Sequence, residues 1–276
     1  GYDIYEIPPN GHGITVLTAL NILENFEEIN LHFQIESLKL AFADTKKYVA
    51  DIKYMQTSIK EMLSKEYSKK RAKLISKNKT LQPKENIFSS GDTVYLASAD
   101  KDGNMVSFIQ SNYTAFGSGI VIPKTGIALH NRGANFSLDR KSDNFIAPRK
   151  KPYHTIIPGF LCKDNKPIGA FGVMGAFMQP QGHLQILTNM IDENLNPQSS
   201  LDKPRWQWVG EKTIEIENNF DNKIADKLSK LGHNIIRKSD KNYFGYFGRG
   251  QIIFKNENNI LYGACESRAD SGISVF

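Results

Sequence analysis

Apolar residues recur in two different rhythms along this 276-residue chain, and the rhythm changes near residue 93. Upstream of it, Leu31, Ile35, Leu38, Phe42 and Val49 return at helical spacing. Ile14 to Phe26 predicts another apolar helix, following the turn Pro8-Pro9-Asn10-Gly11. A third, strongly basic helix is predicted over Ser64 to Ser76. Thr80 to Asp92 is polar, contains Pro83 and Gly91, and reads as an exposed linker.

From Thr93 onward a strand rhythm dominates. Thr93, Tyr95, Ala97 and Ala99 alternate with Val94, Leu96 and Ser98; Asp102-Gly103 then marks a hairpin turn, and Met105 to Gln110 forms the return strand. A loop punctuated by Gly117 and Gly119 follows. Further strands are predicted at Gly126–Leu129, Thr155–Cys162 and Ile168–Val173, the last two joined by the turn Lys163 to Lys166. Gln181 to Asn194 predicts an amphipathic helix with Leu184, Leu187 and Ile191 on one face. Strands at Pro204–Val209 and Thr213–Ile216, a helix at Asp221–Leu231, and strands at Asn234–Lys238, Gln251–Phe254 and Ile260–Ala264 complete the chain. Strands flanked by helices on both sides suit a layered sandwich.

Composition narrows the function classes only slightly. A 40% hydrophobic and 23% charged chain is an ordinary folded protein, and no run of residues approaches a membrane span. The net charge of +6 is mild, and its densest group, Lys65, Lys69, Lys70, Arg71 and Lys73, has only Tyr67 as an interleaved aromatic. That pattern fits a solvated helix face and not a nucleic-acid site. The two cysteines, Cys162 and Cys265, lack metal or redox spacing and are expected as buried free thiols. With no His/Cys/Asp metal spacing, P-loop or dinucleotide fingerprint, neither metal nor cofactor is expected. Nothing in the sequence specifies a compartment.

Thr93 carries the candidate chemistry. It opens a strand directly after the polar run Ser89-Ser90-Gly91-Asp92. If the bond before it is cut, hydroxyl and new α-amine lie on one residue, and the amine can take the hydroxyl proton. A threonine at a strand start is ordinarily unremarkable, so the surrounding blocks decide the matter.

Those blocks resemble the γ-glutamyltranspeptidase family of N-terminal-nucleophile hydrolases along essentially the whole chain. GYDIYEIPPNGHGITVLTALNILENF and ESLKLAFADTKKYVAD are similar to the end of the family's large subunit, and GDTVYLASADKDGNMVSFIQS to the start of its small subunit. HNRGANFSLD, APRKKPYHTIIP, GAFGVMGAFMQPQGHLQILTNMID, DKPRWQW and GACESRADSG follow in family order. GDTVYL, SNY, NRGA and PQGH point to the acylase-like branch. The resemblance implies an α/β (α+β) fold, a four-layer α-β-β-α sandwich. It divides the chain into 1–92, the end of the large subunit, mainly helical and closing in a linker, and 93–276, the small catalytic subunit. It also implies that the rest of the large subunit lies upstream, and it leaves homo-oligomerisation open.

Residue by residue, the resemblance implies Thr93 as nucleophile, Ser111 as the hydroxyl assisting it, and Gly175 and Ala176 as the backbone donors of an oxyanion turn. Ala176 departs from the family's usual glycine. Tyr113, Arg132, Asn135, His154 and Thr155 fall at substrate-binding positions. Transpeptidases hold an α-ammonium group with an acidic residue and an α-carboxylate with two serines; here those positions carry Asn135 and His154-Thr155, with Arg132 nearby. A guanidinium repels an ammonium group and grips a carboxylate with a planar fork. Arg132 paired with Asp139 is the bland alternative. His183 is expected to begin a helix in a structural role, and His12 to line the groove. The expected activity is acyl transfer from γ-glutamyl or related acyl amides to water or an amine. A glutaryl or cephalosporin acylase-like amidase and an inactive truncated scaffold are the alternatives.

Overall fold

Glycine and sulfur contacts bring two antiparallel sheets face to face in the computed structural model, which describes residues 1–83, 92–238 and 245–276. The larger sheet has five strands in the order β1 (Tyr2–Glu6), β4 (Gly159–Lys163), β5 (Lys166–Met174), β9 (Arg249–Lys255) and β10 (Leu261–Cys265). Every neighbouring pair in it is antiparallel. β2 (Asp92–Ala99) and β3 (Met105–Tyr113) form a hairpin. That hairpin lies against β5 because Gly172 has no side chain: a Cβ there would meet the Tyr95 ring at 2.4 Å. The Tyr95 N–H also donates to Met174 Sδ at 3.1 Å.

Helices α1 (Gly13–Leu23) and α5 (Met178–Ile191) pack on the larger sheet. Val16, Ile186 and Leu187 join Leu161, Phe171, Val173 and Ile252 in one apolar cluster there. The result is a mixed α+β fold built on antiparallel sheets. A second cluster fills the space around α2 (Leu31–Tyr48), whose Ile35, Leu38 and Phe42 are the buried residues of the helical rhythm. Asn30 caps α2 by accepting from the Phe33 N–H. Two short helices, α3 (Ile59–Met62) and α4 (Lys65–Ala72), are capped in the same way by Ser58 and Ser64. α4 ends four residues before the predicted Ser76, and only Ser68 and Ala72 of it are buried, which leaves its lysines to solvent.

A third sheet, β6 (Trp206–Gly210), β7 (Thr213–Glu217) and β8 (Asn234–Lys238), is joined through α6 (Pro197–Asp202) and α7 (Asn222–Lys230). It departs from the antiparallel expectation, because α7 carries the chain back and β7 pairs with β8 in parallel. Gln181 and Gln185 of α5 replace a strand neighbour for β6, accepting from the N–H groups of Trp208 (2.7 Å) and Trp206 (3.1 Å). This explains why α5 is buried almost all round while carrying glutamines.

Several sequence expectations are corrected. The Asp102-Gly103 turn forms as expected, but within a longer loop from Asp100 to Asn104, where Asp100 Oδ1 accepts from the Asp102 and Asn104 N–H groups. Gly126–Leu129 makes only the isolated bridge Val121↔Ala128, and Thr155–Pro158 is not strand. β1 and α6 were not anticipated. Thr80 is buried and not part of an exposed linker, whereas residues 84–91 of that linker lie outside the described residues. Cys162 and Cys265 are free thiols but only half-buried.

Among the described residues, no helix is long and apolar enough to cross a membrane. The outer face of the hairpin is apolar and open: Val94 is 65%, Leu96 46%, Val106 49% and Phe108 46% exposed.

Candidate active site

The β2–β3 ladder breaks at Thr93. Asp92 pairs with Tyr113 and Val94 with Gln110, so Ser111 and Asn112 together face the single residue Thr93. Thr93 is 6% exposed and points inward with Tyr95, one pleat away, toward the end of β5. The extra residue lies on β3, so the bulge re-aims Ser111 and Asn112 opposite Thr93.

β5 delivers a second element to the same place. After Met174 the chain turns at Gly175 (φ +129°) and Ala176 (φ +50°), and the Met178 N–H donates back to the Gly175 carbonyl at 2.8 Å. α5 starts immediately afterwards, so the turn lies at the positive end of a 14-residue helix. Gly248 is packed against it, 3.3 Å from the place where a Gly175 Cβ would stand. Ala176 therefore occupies the left-handed region that the sequence comparison with glycine had flagged, with its N–H retained.

Arg132 heads a 3₁₀ turn (Arg132–Asn135) and is 2% exposed. Its Nη1 donates to Thr155 Oγ1 at 3.0 Å and its Nη2 to the Ser111 carbonyl at 3.3 Å. The guanidinium also lies 5.5 Å from the Tyr113 ring centroid. Burial brings its pKa down to about 10, with Tyr113 opposing. Asp139 instead accepts from the Lys141 N–H, and among the described residues no carboxylate forms an ion pair with Arg132. Burial raises the Tyr113 phenol, against the pull of Arg132 and the Asn135 side chain. His154 is pushed down to about 4, chiefly by burial, with Arg132 and His130 acting in the same direction. Its backbone bonds Asn10 and His12, carrying the start of the chain to the site.

Comparison with known proteins assigns the chain to a family. The γ-glutamyltranspeptidase profile matches residues 1–276. The chain belongs to the γ-glutamyltranspeptidase family. It is 36% identical to the glutathione hydrolase-like YwrD proenzyme of Bacillus subtilis (strain 168), over 98% of this chain and 53% of that protein. It is 30% identical to the acylase ACY 1 proenzyme of Pseudomonas sp. (strain SE83), over 98% of this chain and 50% of that one. The crystal structure of cephalosporin acylase from Bacillus halodurans superposes with a TM-score of 0.93 at 50% identity, over 100% of this chain and 51% of the other. The chain thus spans about half the length of the relatives it matches.

Within this family member, one constellation gathers Thr93, Ser111, Tyr113, Arg132, Asn135, His154 and Thr155 through the contacts above. The Gly175-Ala176 turn approaches through β5. His12 is fully buried between the Tyr153 and Phe177 rings, and burial keeps it neutral well below its usual range. Lys46 was missed from the sequence. Its ammonium sits 4.0 Å from the centroid of Phe177, directly after the glycine turn, and desolvation lowers its pKa to about 8. Its signal lay in the ADTKKY segment, where two adjacent lysines gave no reason to prefer one.

A metal-capable donor set was also illegible, because one member lies 201 residues from His32 in sequence. His32 and Glu36, one turn apart on α2, meet His233 with ligand atoms within 4.8 Å. The set is already satisfied internally. His32 Nε2 bonds the Ser76 carbonyl, His32 Nδ1 meets His233 Nε2 at 2.8 Å, and Lys39 Nζ donates to Glu36 Oε1 at 2.8 Å. The Lys39 ammonium supplies the positive charge that a metal would bring.

Proposed function

We propose that this chain is the nucleophile-bearing portion of an autoprocessed N-terminal-threonine amidase acting on γ-glutamyl or related acyl amides. The observation that carries this reading is the ladder break at Thr93, with Ser111 opposite and Arg132 bonded to the Ser111 carbonyl. In this reading residues 1–92 end the large subunit and 93–276 form the small one. The Asp92–Thr93 bond is cut by attack of the Thr93 hydroxyl on the Asp92 carbonyl, and water resolves the resulting ester. The relatives named as proenzymes support that step.

In the mature form the Thr93 α-amine takes the hydroxyl proton as Oγ1 attacks the substrate carbonyl. The Gly175 and Ala176 N–H groups hold the oxyanion, and the positive end of α5 favours it. The protonated amine then donates to the leaving nitrogen, leaving an acyl ester on Thr93 that water or an acceptor amine releases. Arg132, buried without a carboxylate partner among the described residues, favours an acyl group ending in a carboxylate. That observation supports the glutaryl-type acylase as the second reading. The four-layer sandwich belongs to the same proposal: in the whole protein the upstream part of the large subunit covers the exposed Val94, Leu96, Val106 and Phe108 face.

Mass spectrometry of the full-length protein tests the reading. Two fragments divided at Asp92/Thr93 are expected, with Thr93→Ala remaining one chain. Cleavage of Thr93→Ala at the same bond, in protease-free material, would remove Thr93 from the processing role.

A further inference from the structure

Two buried side chains that the proposed reaction leaves unused sit behind the glycine turn. His183 is one turn into α5 and fully buried, and does not begin the helix as its sequence context suggested. Its Nε2 accepts from the Val173 N–H at 3.0 Å, and its Nδ1 meets Glu6 Oε1 at 2.6 Å. Both partners are completely shielded from solvent.

The need for this arrangement follows from the sheet. On one side Val173 pairs with Gly250 of β9. On the other, β4 begins only at Gly159, opposite Phe171, so β5 runs on beyond its neighbour. The Val173 N–H on that side has no strand carbonyl and takes the imidazole instead. A buried N–H left unpaired there costs about 1–3 kcal/mol. Because Nε2 accepts, it carries no proton, so the ring proton is held on the Nδ1 side facing Glu6. Close approach holds the parts together: a Cβ on Gly182 would meet Val173 Cγ1 at 2.5 Å, and one on Gly13 would meet Glu6 Cβ at 2.6 Å.

We infer that Glu6 and His183 are positioning residues, a buried relay that fixes the end of β5 and so aims the Gly175 and Ala176 N–H groups. Glu6 sets the tautomer and ring plane of His183; His183 sets Val173; Val173 is two residues from Gly175. The same relay ties β1, in the first residues of the chain, to a turn in its second half. Burial raises the Glu6 pKa, with His183 opposing, which agrees with a proton shared along the Glu6–His183 contact.

This inference rests on the reading of Gly175-Ala176 as the oxyanion turn, and the two can be tested apart. In the full-length enzyme, His183→Gln keeps an acceptor near the Nε2 position, whereas His183→Asn places its amide near Nδ1 and leaves Val173 unpaired. We expect His183→Gln to stay within about threefold of wild-type kcat, and His183→Asn to lose roughly 10- to 100-fold with KM within twofold, the scale of a misplaced oxyanion donor. Hydrogen exchange of the Val173 amide, measured in the uncleaved Thr93→Ala protein, reads the relay without catalysis. It should accelerate in His183→Asn and not in His183→Gln. Unchanged exchange in both variants overturns the relay itself. Accelerated exchange with wild-type kcat overturns the coupling of the relay to the turn, whereas the oxyanion reading itself stands or falls with Gly175→Val. Equal loss of kcat in both variants also overturns the inference, because it reports a general packing defect.

Discussion

Arg132 Nη1 donates to Thr155 Oγ1 at 3.0 Å while its Nη2 reaches the Ser111 carbonyl at 3.3 Å. One guanidinium therefore joins the strand opposite Thr93 to the His154-Thr155 segment. In the proposed reading these two bonds orient the planar fork toward a substrate carboxylate. Arg132→Ala should raise KM for a glutaryl anilide by about 10-fold or more, on the scale of a charge-assisted bond. KM for a neutral butyryl anilide should change far less. A preference for γ-glutamyl donors that persists unchanged in Arg132→Ala would return the chain to transpeptidase-type specificity.

Gly175 leaves little freedom for substitution. Its φ is +129°, and an added Cβ would stand 3.2 Å from Met178 Cβ and 3.3 Å from Gly248 Cα. Gly175→Val should lower kcat by roughly 10²–10³, the cost of losing one oxyanion donor. Ala176→Gly acts in the opposite sense, since Ala176 holds φ +50°. It should keep activity and gain up to about 1 kcal/mol in urea unfolding by relieving the left-handed strain. A destabilised Ala176→Gly would show that the methyl packing outweighs the strain.

In the proposed reading Lys46, held over Phe177 beside the Gly175-Ala176 turn, faces the acyl pocket, and its lowered pKa then makes carboxylate recognition pH-dependent. The ammonium is charged below about 8 and neutral above it. The ratio of kcat/KM for glutaryl over butyryl anilide should therefore fall as pH rises through 8. Taking the ratio cancels titration of the Thr93 α-amine, which has an ordinary value of about 7.7–8.0. Lys46→Met should flatten the ratio. A ratio equally pH-dependent in that variant would place Lys46 outside the acyl pocket.

Acid sensitivity has a defined window. His154 is depressed to about 4 and His233 to about 3, both chiefly by burial, from an ordinary value of 6.5. Between those limits the unfolded chain binds more protons than the folded one, so stability falls as pH drops through 6.5 toward 4. From pH 7 to pH 5 each histidine should cost about 1–2 kcal/mol in urea unfolding. His233→Gln should shrink that difference by one histidine's share. An undiminished pH dependence would mean that His233 does not stay neutral in the fold.

The helical rhythm of Leu31, Ile35, Leu38 and Phe42 and the alternation through Thr93–Ala99 were legible because local periodicity records which side of an element is buried. Thr93, Arg132 and the Gly175 turn were legible as candidates because their blocks occur in family order along the chain. Sequence also set the neighbours joined by short turns, β2 with β3 and β4 with β5, but not their register. The bulge that opposes Ser111 and Asn112 to Thr93 depends on where β2 and β3 pair, and no spacing prints that.

What only the tertiary structure decided are contacts between distant residues. Glu6 and His183 are 177 positions apart, His32 and His233 are 201 apart, and neither pair leaves a local pattern. β1 escaped detection because a five-residue strand acquires its identity from β4, its partner across the chain. The parallel β7–β8 pair depends on the return path through α7. Sequence by itself supplied the candidates for the chemistry and determined which faces are apolar, since both are properties of short stretches. Which buried cation meets which hydroxyl, and which histidine stays neutral, was decided by packing, because desolvation and hydrogen bonding act through space and not along the chain.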